Sequence, residues 1–398
     1  MSEIRVTNVL GENGNSPVNF TKGINMSGIV TATSFVPTAQ GSLSHRNIII
    51  NGAMTVAQRA SSTTSNGYGF VDRFQTNAIS LSTGGNVTRS QQSLSSSDTG
   101  PWQAGFRKYA RMSTVAAGTA SANSYIEIYT HLEAQDIANS GWDYVSASGN
   151  ITLSFWFRCS ANQTFYAYLR SRDGTSQAYT FSFTASGNNT WTKITHTIPG
   201  NSNLTFNNDN GSGLSLYWLP FYGTDYTNNK TLNTWAAYDQ NNQTPDMAST
   251  WLTSGAATWD ITGVQLEVGP VATPFEHRSY GDELIRCYRY YYKMNGDSNK
   301  TYMIGMSDND NQNIYGFFHF PVPMRTAPTA IEQNGTAGHY KVRRDTTQTC
   351  TGVPTFVDAM PFYCRVNFPR SGHGWGTGQM LWCQGGSASS YLGFSAEL

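Results

Sequence analysis

Strict two-residue alternation is what most limits the folds open to this chain. In ITLSFWFRC (151–159), Ile151, Leu153, Phe155 and Phe157 share one face of an extended segment, and Thr152, Ser154, Trp156 and Arg158 share the other. Successive strand side chains point to opposite sides, so the pattern predicts a half-buried β-strand rather than a helix. Similar runs recur at 71–76 (VDRFQT), 124–133 (SYIEIYTHLE), 164–172 (TFYAYLRSR), 178–186 (AYTFSFTAS), 191–198 (WTKITHTI), 214–223 (LSLYWLPFYG) and 259–269 (WDITGVQLEVG). Turn-forming clusters such as RDGTSQ, SGNNT and NDNGSG lie between them. Many strands at short spacing predict an all-β protein built on an antiparallel β-sandwich. One short helix fits around 133–138.

Gly269-Pro270 ends the last of these strands, because proline donates no ladder hydrogen bond. In the following SYGDELIRCYRYYY, Ser279 is placed to cap a helix, with Asp282 and Glu283 in its positive first turn. Leu284, Cys287 and Tyr288 recur at helical spacing and predict its docked stripe. Strand-like runs then resume, from KTYMIGMS to SYLGFSAEL. The expected organisation is an extended N-terminal segment (1–45), a β-sandwich (46–278), a linking helix (279–295) and a smaller C-terminal β domain (296–398). Residues 1–45 alternate short apolar pieces with Gly, Asn and Ser. One copy buries too little surface to offset its ordering entropy, so the segment is expected either to be a flexible tether or to pair with copies of itself.

Charged residues are 13% of the chain, and 25 Lys and Arg balance 25 Asp and Glu. Nucleic acid and anionic membrane surfaces both need clustered cations, so neither is expected as partner. No run of apolar residues is long enough to span a bilayer, and the N-terminus lacks a signal-peptide pattern. The expectation is synthesis in the cytoplasm and release by a route other than ordinary secretion, as in a virus particle freed by lysis. Cys159, Cys287, Cys350, Cys364 and Cys383 have no metal or disulfide spacing and are expected reduced and buried.

Motifs of catalysis are missing. There is no nucleophile elbow, phosphate loop or metal-binding histidine pair. A glycosidase needs two carboxyl groups about 5–10 Å apart. Glu127, Glu133, Asp136 and Asp143 are the best local cluster for such a pair, and Glu127 shares its strand face with Tyr125 and Tyr129. That arrangement suits a carboxylate beside sugar-stacking rings, or a charge guarding a strand edge. No enzyme and no cofactor are expected. Asp260, at the start of the closing strand, is the position a structural calcium would use, and SDNDNQN (307–313) lacks the glycine and final glutamate of a calcium loop.

Aromatic rings among small polar residues carry the stronger signal. Flat rings cover sugar C–H faces while amides and carboxylates fix hydroxyls. YWLPFYGTDYTNN (217–229), TLNTWAAYDQNNQ (231–243) and GHGWGTG (372–378) have that character. They nominate Trp218, Tyr222, Asp225, Tyr226, Trp235, Tyr238 and Trp375 as a glycan-binding set. Glu276, His277, Arg278 and Asp282, in the densest knot of charge, are expected to hydrogen-bond across a seam between domains or subunits.

Several phrases resemble a known family. NIIINGAMTVAQR (47–59), YGFVDRF (68–74), ITGVQLEVGPVATPFEHRSYGDELIRCYRYYY (261–292), FPVPMRTAPT (320–329) and GFSAEL (393–398) resemble the distal part of tail fibre proteins of tailed bacteriophages. Residues 1–45 are similar to head-end segments of such fibres from phages of marine cyanobacteria. The resemblance implies a homotrimer in the virion tail, joined to other tail proteins through its N-terminus. Residues 1–45 would be its virion-attachment and trimerisation segment, residues 46–278 a carbohydrate-binding-like jelly roll, and the β-sandwich domains would contact a host-surface glycan such as lipopolysaccharide or capsule. It assigns no receptor-binding residue. Two rival readings are a tailspike-type polysaccharide depolymerase and a structural tail adaptor.

Overall fold

Alternation along the chain becomes two stacked sheets because each strand has one apolar face to hide. A computed structural model of the protein describes residues 45–81 and 86–398, all within one compact unit. The expected N-terminal attachment segment lies, but for His45, outside the described residues. The fold is all-β, with three short α-helices, α1 (Ala134–Ala138), α2 (Thr250–Thr253) and α3 (Tyr280–Tyr288), among the described residues.

The sandwich is built from β1 (Ser62–Thr63), β2 (Gln75–Ile79), β3 (Val87–Ser93), β4 (Lys108–Thr114), β5 (Tyr125–Glu133), β6 (Asn150–Cys159), β7 (Asn162–Ser171), β8 (Gln177–Ser186), β9 (Thr192–Pro199), β10 (Ser212–Tyr222), β11 (Trp235–Ala237) and β12 (Ala257–Val268). They form two six-stranded sheets, ordered β1-β3-β4-β12-β6-β9 and β11-β8-β7-β10-β5-β2. Their inner faces meet over Ile151, Leu153, Phe155 and Phe157 of β6, Phe165 and Leu169 of β7, and Leu216 and Trp218 of β10. Edge-to-face pairs such as Phe155 on Trp218 and Phe157 on Phe183 lock this layer.

β6 is more deeply buried than its alternation predicts, since Thr152 and Ser154 on its outer face are also inaccessible. A second apolar layer covers that side. Leu94, Phe106, Tyr109 and Trp191 pack there with Trp102, Trp156 and Phe275. Asp260 belongs to this face. Its two carboxylate oxygens accept from Arg111 Nε and Nη2 (both 2.8 Å) and from Arg158 Nε (2.7 Å). Two guanidinium groups already neutralise it and occupy the lone pairs a calcium ion would need, so this acid does not fit the suggested metal role.

The C-terminal lobe contains β13 (Tyr291–Asn295), β14 (Thr301–Ser307), β15 (Asn313–His319), β16 (Tyr340–Arg343), β17 (Thr347–Thr349), β18 (Thr355–Met360), β19 (Tyr363–Pro369), β20 (Met380–Gly385) and β21 (Tyr391–Ser395). A seven-stranded sheet, β17-β16-β20-β14-β15-β19-β18, packs its inner face on a core that includes β21, which pairs with β13. The outer face of the large sheet stays apolar and open. Ile304, Met306, Phe317, Met380 and Trp382 are each 47–64% exposed and are neighbours in register.

The linking helix is shorter than expected. Ser279 caps α3, accepting from the Asp282 backbone N–H at 3.1 Å, but the helix stops at Tyr288 and residues 291–295 pair as a strand. The run Tyr290–Tyr292 favours an extended chain, and pairing with β21 outweighs helix continuation. Cys287 and Glu283 are the buried residues of α3, while Leu284 and Tyr288 are only half-buried. Glu283 is buried because its carboxylate accepts the Asn51 backbone N–H.

The charged knot does not bridge the lobes. Glu276 accepts the Asn47 N–H at 2.9 Å, and Arg278 donates to the Asn47 and Ile49 carbonyls. His277 lies between Phe106 and Phe275, tilted against the first and edge-on to the second, and meets the Ala104 carbonyl at 2.8 Å. Asp282 bonds only Ser279. Glu276 and Arg278 fasten the linker to the sandwich's own first residues, His277 fastens it to the Ala104–Phe106 turn, and Asp282 serves the cap of α3. The joint between lobes is made elsewhere. Glu133 accepts from Arg289 and the Tyr290 hydroxyl, Glu397 pairs with Arg59 and Arg73, and Arg73 lies 3.4 Å over the Tyr290 ring. These partners are at least 156 residues apart, so no local pattern announces them.

Candidate functional site

The outer face of the second sandwich sheet holds the candidate site, and strand register builds it. Tyr217 on β10 stands opposite Tyr129 on β5 and Tyr168 on β7. Cross-strand neighbours lie about 5 Å apart, so the three rings stack. Their centroids are 4.7 and 4.4 Å apart, with interplanar angles of 20° and 12°. Beyond this stack, Tyr125 meets Tyr222 and Tyr226 edge-on. The segment between β10 and α2 folds back over the face and supplies Tyr226, Tyr238, Gln240 and Gln243. The result is a groove of about 280 Å³ with six tyrosines in its wall: Tyr125, Tyr168, Tyr217, Tyr222, Tyr226 and Tyr238.

A β-bulge decides which aromatics reach this groove. Trp218 pairs with Ile128 and Phe221 with Ile126, so β10 carries one extra residue between them. Such an insertion flips the facing of everything beyond it. Trp218 points into the core, fully inaccessible, against Phe74 and Phe155. Tyr222, four residues on, points outward into the groove. Plain alternation places the two on one side; the bulge separates them.

Of the nominated residues, Tyr222, Tyr226 and Tyr238 come together in the groove, and Trp218, Asp225, Trp235 and Trp375 do not line it. Trp235 is in the core, packed on Tyr179, with its indole N–H donating to the Pro199 carbonyl at 2.7 Å. Asp225 is an exposed turn residue. Trp375 sits in a loop of the C-terminal lobe, stacked on His373. Reading by residue type missed Tyr168, Arg170, Tyr217 and Gln243. The signal for two of them was present: in TFYAYLRSR, Tyr166, Tyr168 and Arg170 share the face that alternation turns away from the core.

Glu127 lies on the groove floor, 7% exposed. It accepts from Asn77 Nδ2 at 2.9 Å and from the Tyr222 hydroxyl. Burial raises its pKa above the usual carboxylate range, opposed by those two hydrogen bonds and by the Arg172 charge. Glu133, Asp136 and Asp143 are not in the groove; Glu133 is committed to the lobe joint. Gln243 ties the wall together, its side-chain oxygen accepting from the Tyr168 hydroxyl (2.9 Å) and the Tyr238 hydroxyl (3.2 Å). Burial drives Tyr168 and Tyr222 well above the ordinary phenol range and Tyr217 up to about 12. These three rings are therefore neutral phenols at physiological pH. Behind the stack, burial and four nearby arginines push His131 down to about 3, and its Nδ1 lies 2.6 Å from the Ser215 hydroxyl.

A larger recess of about 500 Å³ lies beside α1 and α3, lined by residues including Arg46, Asp136, Arg278 and Arg286. It has no tyrosine or tryptophan in its wall, and Arg278 is already bound to backbone carbonyls. The tyrosine groove has both the flat apolar surface and the polar groups that hold a sugar.

No protein-family model matches the chain, and no curated protein does. Among solved structures it is similar to the enzymatically active domain of tailspike protein 4 of bacteriophage CBA120, at 9% identity and a TM-score of 0.28, covering 56% of this chain and 21% of that one. It is also similar to TmCBM61 in complex with β-1,4-galactotriose, at 9% identity and a TM-score of 0.28, over 56% of this chain and 97% of that one. A family 11 carbohydrate-binding module from Clostridium thermocellum, in complex with a mixed-linked tetrasaccharide, shows 10% identity and a TM-score of 0.25 over 53% and 98%. The chain thus spans about a fifth of the tailspike domain it matches. Likeness at these scores bears no weight on what this chain binds; the groove does.

Proposed function

We propose that this chain is the receptor-binding part of a phage tail fibre, and that its tyrosine groove holds a host-surface glycan without cleaving it. The observation that carries the reading is the groove itself: six tyrosine rings in one concavity on a rigid sheet, with hydroxyls fixed by Gln243, Glu127 and Arg172. Rings held this way offer sugar C–H faces a preformed surface and lose little entropy on binding. Retention without cleavage is supported by the single carboxylate, Glu127, among the lining residues, where glycosidic hydrolysis uses two. The virion role rests on the sequence resemblance to tail fibres. Assembly into a homotrimer multiplies weak glycan affinity through avidity. What supports self-association is the open apolar face of the C-terminal sheet, around Met306 and Trp382.

Binding of the purified full chain to host cells, competed by isolated lipopolysaccharide or capsule, tests the proposal. Wild type should bind, and a Tyr226→Ala, Tyr238→Ala double variant should not. A depolymerase would instead release new reducing ends from the polysaccharide, and their appearance would overturn the non-enzymatic reading. Failure of any glycan to compete would leave the structural adaptor as the better account.

A further inference from the structure

We propose that the glycan held here is acidic and that Arg170 grips its carboxylate; this rests on the reading of the groove as a glycan site. Most polar groups in the groove already have partners. The Tyr168 and Tyr238 hydroxyls both donate to Gln243, whose amide N–H donates in turn to the Gln240 carbonyl at 2.9 Å. The Tyr217 hydroxyl accepts from Arg172, and the Tyr222 hydroxyl donates to Glu127. These groups bind one another and have little left for a ligand.

Arg170 differs. Its Nε donates to the Ser176 hydroxyl at 3.0 Å, and its guanidinium carbon lies 3.4 Å from the centre of the Tyr238 ring. At that separation the guanidinium lies face-on against the ring. No acceptor among the described residues takes a hydrogen bond from its two terminal nitrogens. Arg170 lines the groove beside the tyrosine rings and is half-buried. A guanidinium pinned on both its ring face and its Nε edge has already lost most of its rotamer freedom. Its remaining pair of coplanar N–H donors matches a carboxylate, and less well any neutral hydroxyl.

The charge balance agrees. Glu127 is the only carboxylate among the lining residues, and burial favours its protonated form. Arg172 stands just behind the wall, donating to Ser215 and Tyr217. Asp239, the nearest exposed acid in sequence to Tyr238, is turned to its own loop, where it accepts the Asn241 N–H at 2.9 Å. The groove therefore offers a cation without a counterion. A uronic acid, or another sugar whose carboxylate projects from a pyranose ring, supplies the anion while its ring covers the tyrosines.

The test is a glycan array probed with the full wild-type chain. It carries matched uronic-acid, sialylated, sulfated and neutral oligosaccharides, and hits are followed by calorimetry. Hits should fall among the carboxylated members, and carboxyl-reduced counterparts should bind about 10–100-fold more weakly. R170Q should bind carboxylated members with a similar loss and lose its preference over reduced counterparts; R170K should recover part of it. A thermal melt of each variant separates this from misfolding. Equal binding of neutral and carboxylated members, preference for sulfated ones alone, or an R170Q chain that keeps its preference would overturn the carboxylate assignment and leave the glycan reading standing. Binding to no member of the array would overturn both.

Discussion

Replacing Tyr217 by alanine is the most informative single change to this molecule. Its ring is the middle of a three-ring stack, 6% exposed, with Tyr129 and Tyr168 at 4.7 and 4.4 Å. Removing a buried aromatic side chain typically costs about 3–5 kcal/mol through lost transfer energy and the cavity left behind. Each stacked pair contributes roughly 0.5–1.5 kcal/mol within that total. Tyr217→Phe keeps both stacks and removes only the acceptor of Arg172, which should cost about 1–2 kcal/mol. The expected difference between the variants is therefore about 2–3 kcal/mol. Urea unfolding followed by tryptophan fluorescence and circular dichroism measures it. A double-mutant cycle with Tyr168→Ala should show coupling of about 0.5–1.5 kcal/mol. If alanine costs no more than phenylalanine, or the coupling is zero, the rings are surface neighbours and the groove has no rigid wall.

Three further outcomes follow from the same geometry. Trp218→Phe should lower stability by about 1–3 kcal/mol yet leave glycan affinity unchanged, while Tyr226→Ala should do the reverse; equilibrium unfolding and calorimetry on both variants check this. Folded His131 holds its proton less tightly than the unfolded chain, with its ionisation moved from 6.5 to about 3. Its contribution is fully present above pH 6.5 and lost as pH falls towards 3, on the order of 4 kcal/mol in all. His131→Gln should flatten that part of the stability–pH curve, and an unchanged slope between pH 6 and 4 would refute the assignment. Finally, Met306→Lys with Trp382→Glu should lower the oligomeric mass of the full chain in light scattering, since both residues lie on the open sheet face. A mass unmoved by the pair removes that face from any subunit contact.

Much of the architecture was legible in the chain itself. Two-residue alternation in 151–159 reflects the pleat, which is a local property, so the strand and its core face were readable without knowing any neighbour. The Ser279 cap was readable for the same reason, since its partner is three residues away. Sequence also carried the face-sharing of Tyr125 with Glu127 and of Tyr168 with Arg170. Tertiary structure alone decided what each face meets. It covered the outer side of β6 with a second aromatic layer, and it placed one bulge in β10 that sends Trp218 inward and Tyr222 outward. It also paired Asp260 with two arginines, and Glu397 with Arg59 and Arg73 across the joint. The physical reason is that register and ion pairing are energies between segments distant in sequence. The chain specifies which side chains a strand offers, and only the packed neighbours determine which become core, groove or seam.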